Sequence, residues 1–314
     1  MKVIIPEKLK KGDTIGLISP SSPLNNPEQL NKAVNYFEKN GFRVKIGESV
    51  NKEKGYLAGS EDERVNDLHQ MFEDKDVKAI IAARGGYGAI RMIDKLNFNL
   101  IRKNPKIFVG FSDITVLQLA IYQKSKLITF AGPMVSTYFG EDELDDYVEE
   151  QFWDLLTRDK KVGKIKNPND EKFFVLNKGR GEGKLLGGNL TSLLSLIGTE
   201  YMPSFRNSIL FLEEINEPPY KIDRMLCQLR LHKILSHTNG IILGRFIDCY
   251  ERDSGKKSLS LNDLVIDYLK VLNKAIMYNF KHGHIKQMIT LPVGADCKIN
   301  ATRGFIEITQ NVVS

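Results

Sequence analysis

The amino-acid sequence predicts an α/β protein, with a parallel sheet covered by helices on both faces in its first half, and three observations carry that reading. Short apolar runs alternate with segments of helical periodicity from residue 14 to residue 124. Within them, residues 106–124, KIFVGFSDITVLQLAIYQK, show the passage from strand to helix most plainly. A charged stretch at residues 157–172, TRDKKVGKIKNPNDEK, then breaks the apolar pattern and marks a linker to a second unit.

Residues 14–19 read as a strand that enters the turn-rich loop Pro20-Ser21-Ser22-Pro23. Leu30, Ala33, Val34 and Phe37 share one helical face, which Asn40-Gly41 ends as a left-handed cap does. Phe42, Val44 and Ile46 alternate with polar residues, as a half-buried strand does. Ser60 and Glu63 have capping-box spacing ahead of Val65, Leu68 and Phe72, so a second helix begins there. Residues 77–83 form the next apolar strand, followed by Arg84-Gly85-Gly86-Tyr87-Gly88 and a short helix. In the 106–124 unit, Ile107, Phe108 and Val109 make a buried strand, and Leu117, Ala120 and Ile121 recur at helical spacing after Ile114. Strands separated by helices of this length pair in parallel, with the active-site loops at their C-terminal ends.

Beyond the charged stretch, residues 208–212 and 240–243 are strand-like, and a helix between them carries Ile222, Met225, Leu226 and Leu229 on one face. Leu261, Leu264, Val265, Tyr268, Leu269 and Leu272 mark the clearest amphipathic helix, and short strands follow around residues 288–293 and 305–308. The expected division is 1–156, a linker at 157–172, and 173–314. A solvated loop inside one domain fits the charged stretch almost as well.

Composition excludes several classes. At 314 residues the chain is long enough for two domains with their own cores. Its 42% hydrophobic and 27% charged residues are those of a soluble globular protein. Forty-five basic against 39 acidic residues give a mild +6, with no aromatic interleaving of the kind a nucleic-acid groove needs. Cys227, Cys249 and Cys297 are odd in number, far apart and without a C-x-x-C pair, which argues against a disulfide framework or a zinc site and fits a reducing compartment. The first residues, MKVIIPEKLKKGD, offer neither a signal peptide nor a membrane span.

Between strand and helix in the 106–124 unit lies the corner Gly110-Phe111-Ser112-Asp113. A serine there has its hydroxyl turned away from the sheet, at the positive end of a helix, which suits a nucleophile. Serine and aspartate are also favoured as N-caps whatever the function, so the corner alone fits either role. The glycine loop lacks the third glycine of a dinucleotide fingerprint, since Arg91 occupies that position, and no Walker-type motif exists. Adjacent glycines after a strand do free backbone N–H groups to approach a ligand, as an oxyanion hole requires. His69 and His232 lie in helical segments and His237 in a polar loop, positions of structural or exposed residues. His282 and His284 flank Gly283 on a loop without helical periodicity; no carboxylate or cysteine accompanies them at metal-ligand spacing, so a general base is the better reading. Glu213 and Glu214 end the apolar strand SILFL, and Glu214 is expected to mark its exit to solvent.

With Ser112, Glu213 and His284 in view, the chain resembles the serine LD-carboxypeptidases, the murein tetrapeptide carboxypeptidase family, over nearly its whole length. The matching stretches are GDTIGLISPSSP, YLAGSEDER, AARGGYGAIRMIDKL, GFSD, TFAGPM, LLGGNLTSL, FLEEINEPPYKIDRML and GHIKQMITLPVGA. The resemblance implies a flavodoxin-like first domain and a smaller, mainly β second domain. It places the nucleophile on Ser112, the acid of a triad on Glu213, the base on His284, and oxyanion-hole amides on Gly86 and Asp113. Arg84, the cation nearest that hole in sequence, is a candidate for the substrate's terminal carboxylate, with a structural ion pair holding the loop as an equal alternative. The implied substrate is a cytoplasmic murein tetrapeptide, cut between the L-centre of its diamino acid and the terminal D-alanine, by a homodimer without metal or organic cofactor. Two alternatives stand beside it: a microcin-immunity-like peptidase acting on acyl-adenylate antibiotics, and a non-catalytic two-domain ligand-binding protein.

Overall fold

A computed structural model describes residues 2–168 and 171–314. Five strands, β1 (Thr14–Ile18), β2 (Arg43–Ile46), β3 (Val77–Ala82), β4 (Ile107–Gly110) and β5 (Thr129–Ala131), run parallel in the order 2-1-3-4-5. This is the flavodoxin-like order, in which ligands bind at the strand C-terminal ends beside the β1/β3 switch point. Strands β1 and β4 are buried along their length, as continuous apolar runs in a sheet covered on both faces are. Helices α1 (Glu28–Lys39), α2 (Glu61–Glu73), α3 (Phe98–Lys103) and α4 (Thr115–Ser125) connect them. Helix α1 buries Leu30, Ala33 and Phe37. Helix α2 begins with the expected capping box, Ser60 accepting from the Glu63 amide while the Glu63 carboxylate accepts from the Ser60 amide. Helix α4 is buried on nearly every side, from Thr115 through Tyr122.

The sixth strand of this sheet comes from far along the chain: Leu291–Val293 pairs antiparallel with β5. After β5 come α5 (Asp146–Thr157), β6 (Gly163–Ile165), β7 (Phe174–Asn177), β8 (Arg180–Asn189), α6 (Leu190–Leu194), β9 (Ser208–Ile215), α7 (Pro219–Leu231), α8 (Ile234–His237), β10 (Gly240–Ile247), α9 (Leu261–Val265), β11 (Ala275–Tyr278), β12 (Leu291–Val293), β13 (Asp296–Asn300) and β14 (Phe305–Ile308). Apart from β12, the strands from β6 to β14 form an eight-stranded sheet in the order β6-β14-β13-β8-β9-β10-β11-β7. The central four are parallel, and the flanking pairs are antiparallel.

Three differences from the sequence reading have physical reasons. The charged stretch at 157–172 contains β6, which pairs with β14, while its Asn169 and Asp170 lie outside the described residues. The helix expected over residues 261–272 is one α-helical turn, α9, followed by a π-helical turn at Ile266–Lys270. The wider turn shifts the side-chain register, and Leu264 and Leu269 are the residues it buries fully. The ten-residue β8, RGEGKLLGGN, has no apolar alternation because its backbone lies against neighbouring backbone: a Cβ on Gly181, Gly183 or Gly187 would stand 2.2, 2.0 or 1.8 Å from the carbonyl oxygen of Asn239, Asn207 or Phe211.

Candidate active site

Strand β4 ends in a corner that only a narrow set of residues fits. Ser112 has φ +63°, a left-handed conformation that costs a side-chain-bearing residue roughly 1–2 kcal/mol and is retained where the position is demanded. Glycine is required on both sides of it. A Cβ on Gly110 would lie 2.8 Å from Ile114 Cγ2, and one on Gly85 would lie 2.9 Å from Ser112 Cβ. Neither Ser112 nor Asp113 caps α4 with its side chain. The Ser112 hydroxyl instead lies 3.1 Å from His284 Nε2. Asp113 turns inward, its Oδ2 accepting from Ser21 Oγ at 2.7 Å and from the Ala89 amide at 2.9 Å. Burial pushes its pKa above the ordinary aspartate value, and these hydrogen bonds work against that shift.

Glu213 lies near the end of β9 with its side chain 1% exposed, and His284 Nδ1 stands 2.8 Å from its Oε2. Since a carboxylate only accepts, Nδ1 carries the proton and Nε2 presents its lone pair to Ser112. The other carboxylate oxygen, Oε1, is buried with no partner among the described residues. Gly283 has φ +123°, and a Cβ there would meet Glu213 Oε2 at 2.9 Å, so the backbone can run this close to the carboxylate only at a glycine. The Phe111 ring packs 4.9 Å from the imidazole.

The loop carrying His284 is anchored to both sheets. On its far side β12 joins the first sheet, and Gln151 exchanges two hydrogen bonds with the Thr290 backbone, at 3.0 and 2.9 Å. On its near side the His282 carbonyl accepts from the Arg245 amide of β10 at 2.9 Å. His282 itself is 1% exposed and donates Nδ1–H to the Ile289 carbonyl at 2.8 Å; burial holds its pKa below the usual histidine value. His69 Nε2 accepts from the Asn97 amide.

Gly86 borders the same cleft as Ser112 and Asp113. Its φ is +100°, and a Cβ would lie 2.4 Å from Ser22 Oγ. Ser22 shapes this loop: its amide donates to the Gly85 carbonyl and its hydroxyl accepts from the Tyr87 amide. Fully buried Arg64 adds Nη1 bonds to the Pro20 and Gly88 carbonyls at 2.7 and 2.9 Å. Arg84 donates from Nη1 to the Pro23 carbonyl at 2.7 Å and to Asn25 Oδ1, tying the glycine loop to the loop after β1.

The expectation that Glu214 leaves for solvent is overturned. It is 2% exposed, with Oε1 accepting from Asn189 Nδ2 and the Ile215 amide and Oε2 accepting from the Thr191 amide and hydroxyl. Burial pushes its pKa above the ordinary glutamate value, against those four donors. The sequence reading also missed Ser21, Ser22, Arg64 and the Asp113 carboxylate as supports. The SS pair between prolines signalled a turn, and nothing in the helical pattern around Arg64 distinguished it from a surface arginine.

Chemically, a hydroxyl, an imidazole and a carboxylate in this line are what acyl transfer through serine requires. Among the described residues no group of three or more His, Cys, Asp or Glu is arranged to hold a metal ion, and no helix is long and apolar enough to cross a membrane. Fold and site together define a class, the two-sheet serine hydrolases. Residues 15–132 match the LD-carboxypeptidase N-terminal domain and residues 182–299 match the LD-carboxypeptidase C-terminal domain. The chain is 41% identical over 298 residues, 94% of its length and 91% of the relative's, to a probable murein peptide carboxypeptidase of Bacillus subtilis strain 168. A structure of the microcin C7 self-immunity protein MccF with aspartyl sulfamoyl adenosine superposes with TM-score 0.89 at 28% identity, covering 99% of this chain and 100% of that one. A muramoyltetrapeptide carboxypeptidase from Oxalobacter formigenes superposes with TM-score 0.83 at 28% identity, covering 96% and 100%. The chain belongs to the LD-carboxypeptidase family.

Proposed function

We propose that the protein is a serine LD-carboxypeptidase that hydrolyses the bond between the L-centre of the diamino acid and the terminal D-alanine of murein tetrapeptides, in cell-wall recycling. The observation that carries the reading is the line Ser112 Oγ to His284 Nε2, 3.1 Å, and His284 Nδ1 to Glu213 Oε2, 2.8 Å. In this reading His284 takes the Ser112 proton as Oγ attacks the scissile carbonyl carbon. The Gly86 and Asp113 amides receive the oxyanion, and the imidazolium, held by Glu213, returns the proton to the leaving nitrogen of D-alanine. Water then attacks the acyl-serine by the same route and frees the enzyme. Ser112 belongs to the unit 1–156 and the other two groups to 173–314, with 157–172 between, so the site lies where the units meet. We assign Arg84 to the architecture of the glycine loop, because its guanidinium is engaged by Pro23 and Asn25. We place the protein in the cytoplasm as a homodimer, which fractionation and sedimentation test.

The direct experiment is incubation of the purified protein with murein tetrapeptide and assay of released D-alanine. Wild type should release it and Ser112→Ala should not, while both melt at similar temperatures. Turnover by Ser112→Ala would refute the serine mechanism, and binding without turnover by the wild type would favour the non-catalytic alternative. The likeness to the microcin self-immunity protein supports a second reading, cleavage of acyl-adenylate antibiotics. Faster turnover of such a compound than of tetrapeptide would select it.

A further inference from the structure

The cleft beside Ser112 continues past Gly86 to a wall made by Asn189, Thr191, Glu214 and Glu217. Among the described residues that line it there are three carboxylates and no lysine, arginine or histidine. Two of the carboxylates are committed. Asp113 accepts from Ser21 and the Ala89 amide, and both oxygens of Glu214 accept two hydrogen bonds each. Glu217 differs. Its Oε2 is taken by Lys221, whose Nζ lies 2.8 Å away and whose side chain is 45% exposed, and its Oε1 has no hydrogen-bond partner of its own among the described residues.

We propose that Glu217 receives the side-chain ammonium of the substrate's diamino acid and thereby selects substrates with a cation at that end. The inference rests on the peptidase reading above and names the chemistry its site would choose. An anion in this space, whether the carboxylate of D-alanine or a nucleotide phosphate, would face Glu214 and Glu217, with Lys221 behind Glu217 as the one cation against them and none lining the space itself. A primary ammonium reaching Glu217 gains a charge-assisted hydrogen bond in a partly desolvated recess, stronger than one between neutral groups. Lysine and diaminopimelate both carry an amine at this end. Diaminopimelate adds a carboxylate beside it, so the two peptides report separately on the cation and on its neighbour.

The test compares wild type with Glu217→Gln on three tetrapeptides, containing L-lysine, meso-diaminopimelate or Nε-acetyl-lysine. Glu217→Gln should lower kcat/KM about tenfold or more on the amine-bearing peptide that wild type prefers, mainly through KM, and leave the acetylated peptide within about twofold. Equal losses on all three peptides, or no loss on any, would overturn the proposal. Calorimetric binding of the same peptides to Ser112→Ala separates it from the peptidase reading. If wild type cleaves none of them, yet Ser112→Ala binds an amine-bearing peptide tighter than the acetylated one and Ser112→Ala/Glu217→Gln does not, the peptidase reading fails and Glu217 keeps its role. Cleavage with no preference for the ammonium has the opposite meaning, and an absence of both binding and cleavage overturns both.

Discussion

Replacing Glu213 by glutamine changes one atom and should stop the chemistry through the tautomer of His284. The native carboxylate uses Oε2 to accept from Nδ1 at 2.8 Å and leaves Oε1 buried without a partner among the described residues. Glutamine must place its oxygen and its NH2 in those two positions. With the oxygen toward His284, the NH2 occupies a buried position with no acceptor, which costs about 1–3 kcal/mol. With the amide turned, the NH2 donates to Nδ1, and the oxygen takes a place where an oxygen already stands unpaired. The turned form is therefore favoured by about 1–3 kcal/mol, leaving the productive tautomer populated at roughly one part in 5 to one part in 150. Its imidazole would carry the proton on Nε2 and offer Ser112 a donor where a base is needed.

Loss of the negative charge that stabilises the imidazolium adds to this. The expected fall in kcat is about 10³-fold or more, in line with the roughly 10⁴-fold effect of the analogous change in other serine peptidases. Folding should be nearly unaffected, since the variant buries one charge fewer. D-alanine release at saturating tetrapeptide measures kcat, and a melting curve checks the fold. A variant within tenfold of wild type, with an unchanged melting temperature, would show that Glu213 does not set the tautomer.

Other perturbations test the supports. Gly85→Ala would put a Cβ 2.9 Å from Ser112 Cβ and 3.1 Å from its Oγ, so kcat should fall about 100-fold as the hydroxyl is displaced; full activity would show that the loop yields freely. His282 is held neutral by burial, so stability is complete above its unfolded pKa of about 6.5 and declines as pH falls below it, by at most about 1.4 kcal/mol per pH unit for this one group. Denaturant titrations at pH 7.5 and 5 should show that loss shrinking in His282→Ala, which should also keep most of its activity; a dead His282→Ala would transfer the base to the wrong imidazole. Glu214→Gln would turn a donor toward Thr191 or toward Asn189 and Ile215, each of which already donates, and should destabilise the protein by about 1–3 kcal/mol. An unchanged denaturation midpoint would mean that those hydrogen bonds add nothing.

The part of the fold legible in the sequence is the part written in side chains. Residues 79–83 and 107–109 are apolar without interruption because β3 and β4 are covered on both faces, and Ser60 with Glu63 announces α2 through a contact between neighbours in the chain. Strand β8 escaped because the sheet requires of it an absence of side chains, which resembles a loop in sequence. Glu214 escaped for a different reason. Alternation along β9 predicts which face a residue occupies, but the donors that make its burial tolerable come from Asn189 and Thr191, at the end of β8 and the start of α6. Two charges side by side at a strand end look alike until their partners are known.

The position of His284 shows how the two sheets make one site. Ser112 stands at the C-terminal end of β4 and Glu213 near that of β9, so each is set by the sheet that carries it. His284 belongs to neither strand end. Its loop leaves β11 of the second sheet and enters β12, which pairs with β5 in the first, at Leu291 with Ala131, Pro292 with Phe130 and Val293 with Thr129. A slip of β12 against β5 would move the imidazole relative to Ser112, while a shift of β10 would act through the Arg245 bond to the His282 carbonyl. The imidazole is thus referred to both frameworks, and its distances to Ser112 and Glu213, 3.1 and 2.8 Å, hold only when the sheets are docked in this register. Asp113 gives the Ser112 corner the same kind of double reference, to the loop after β1 through Ser21 and to the loop after β3 through Ala89. Because proton transfer depends steeply on such distances, the geometry the proposed mechanism needs is a property of the interface between the sheets, and the left-handed strain at Ser112 is borne by contacts that also align the groups.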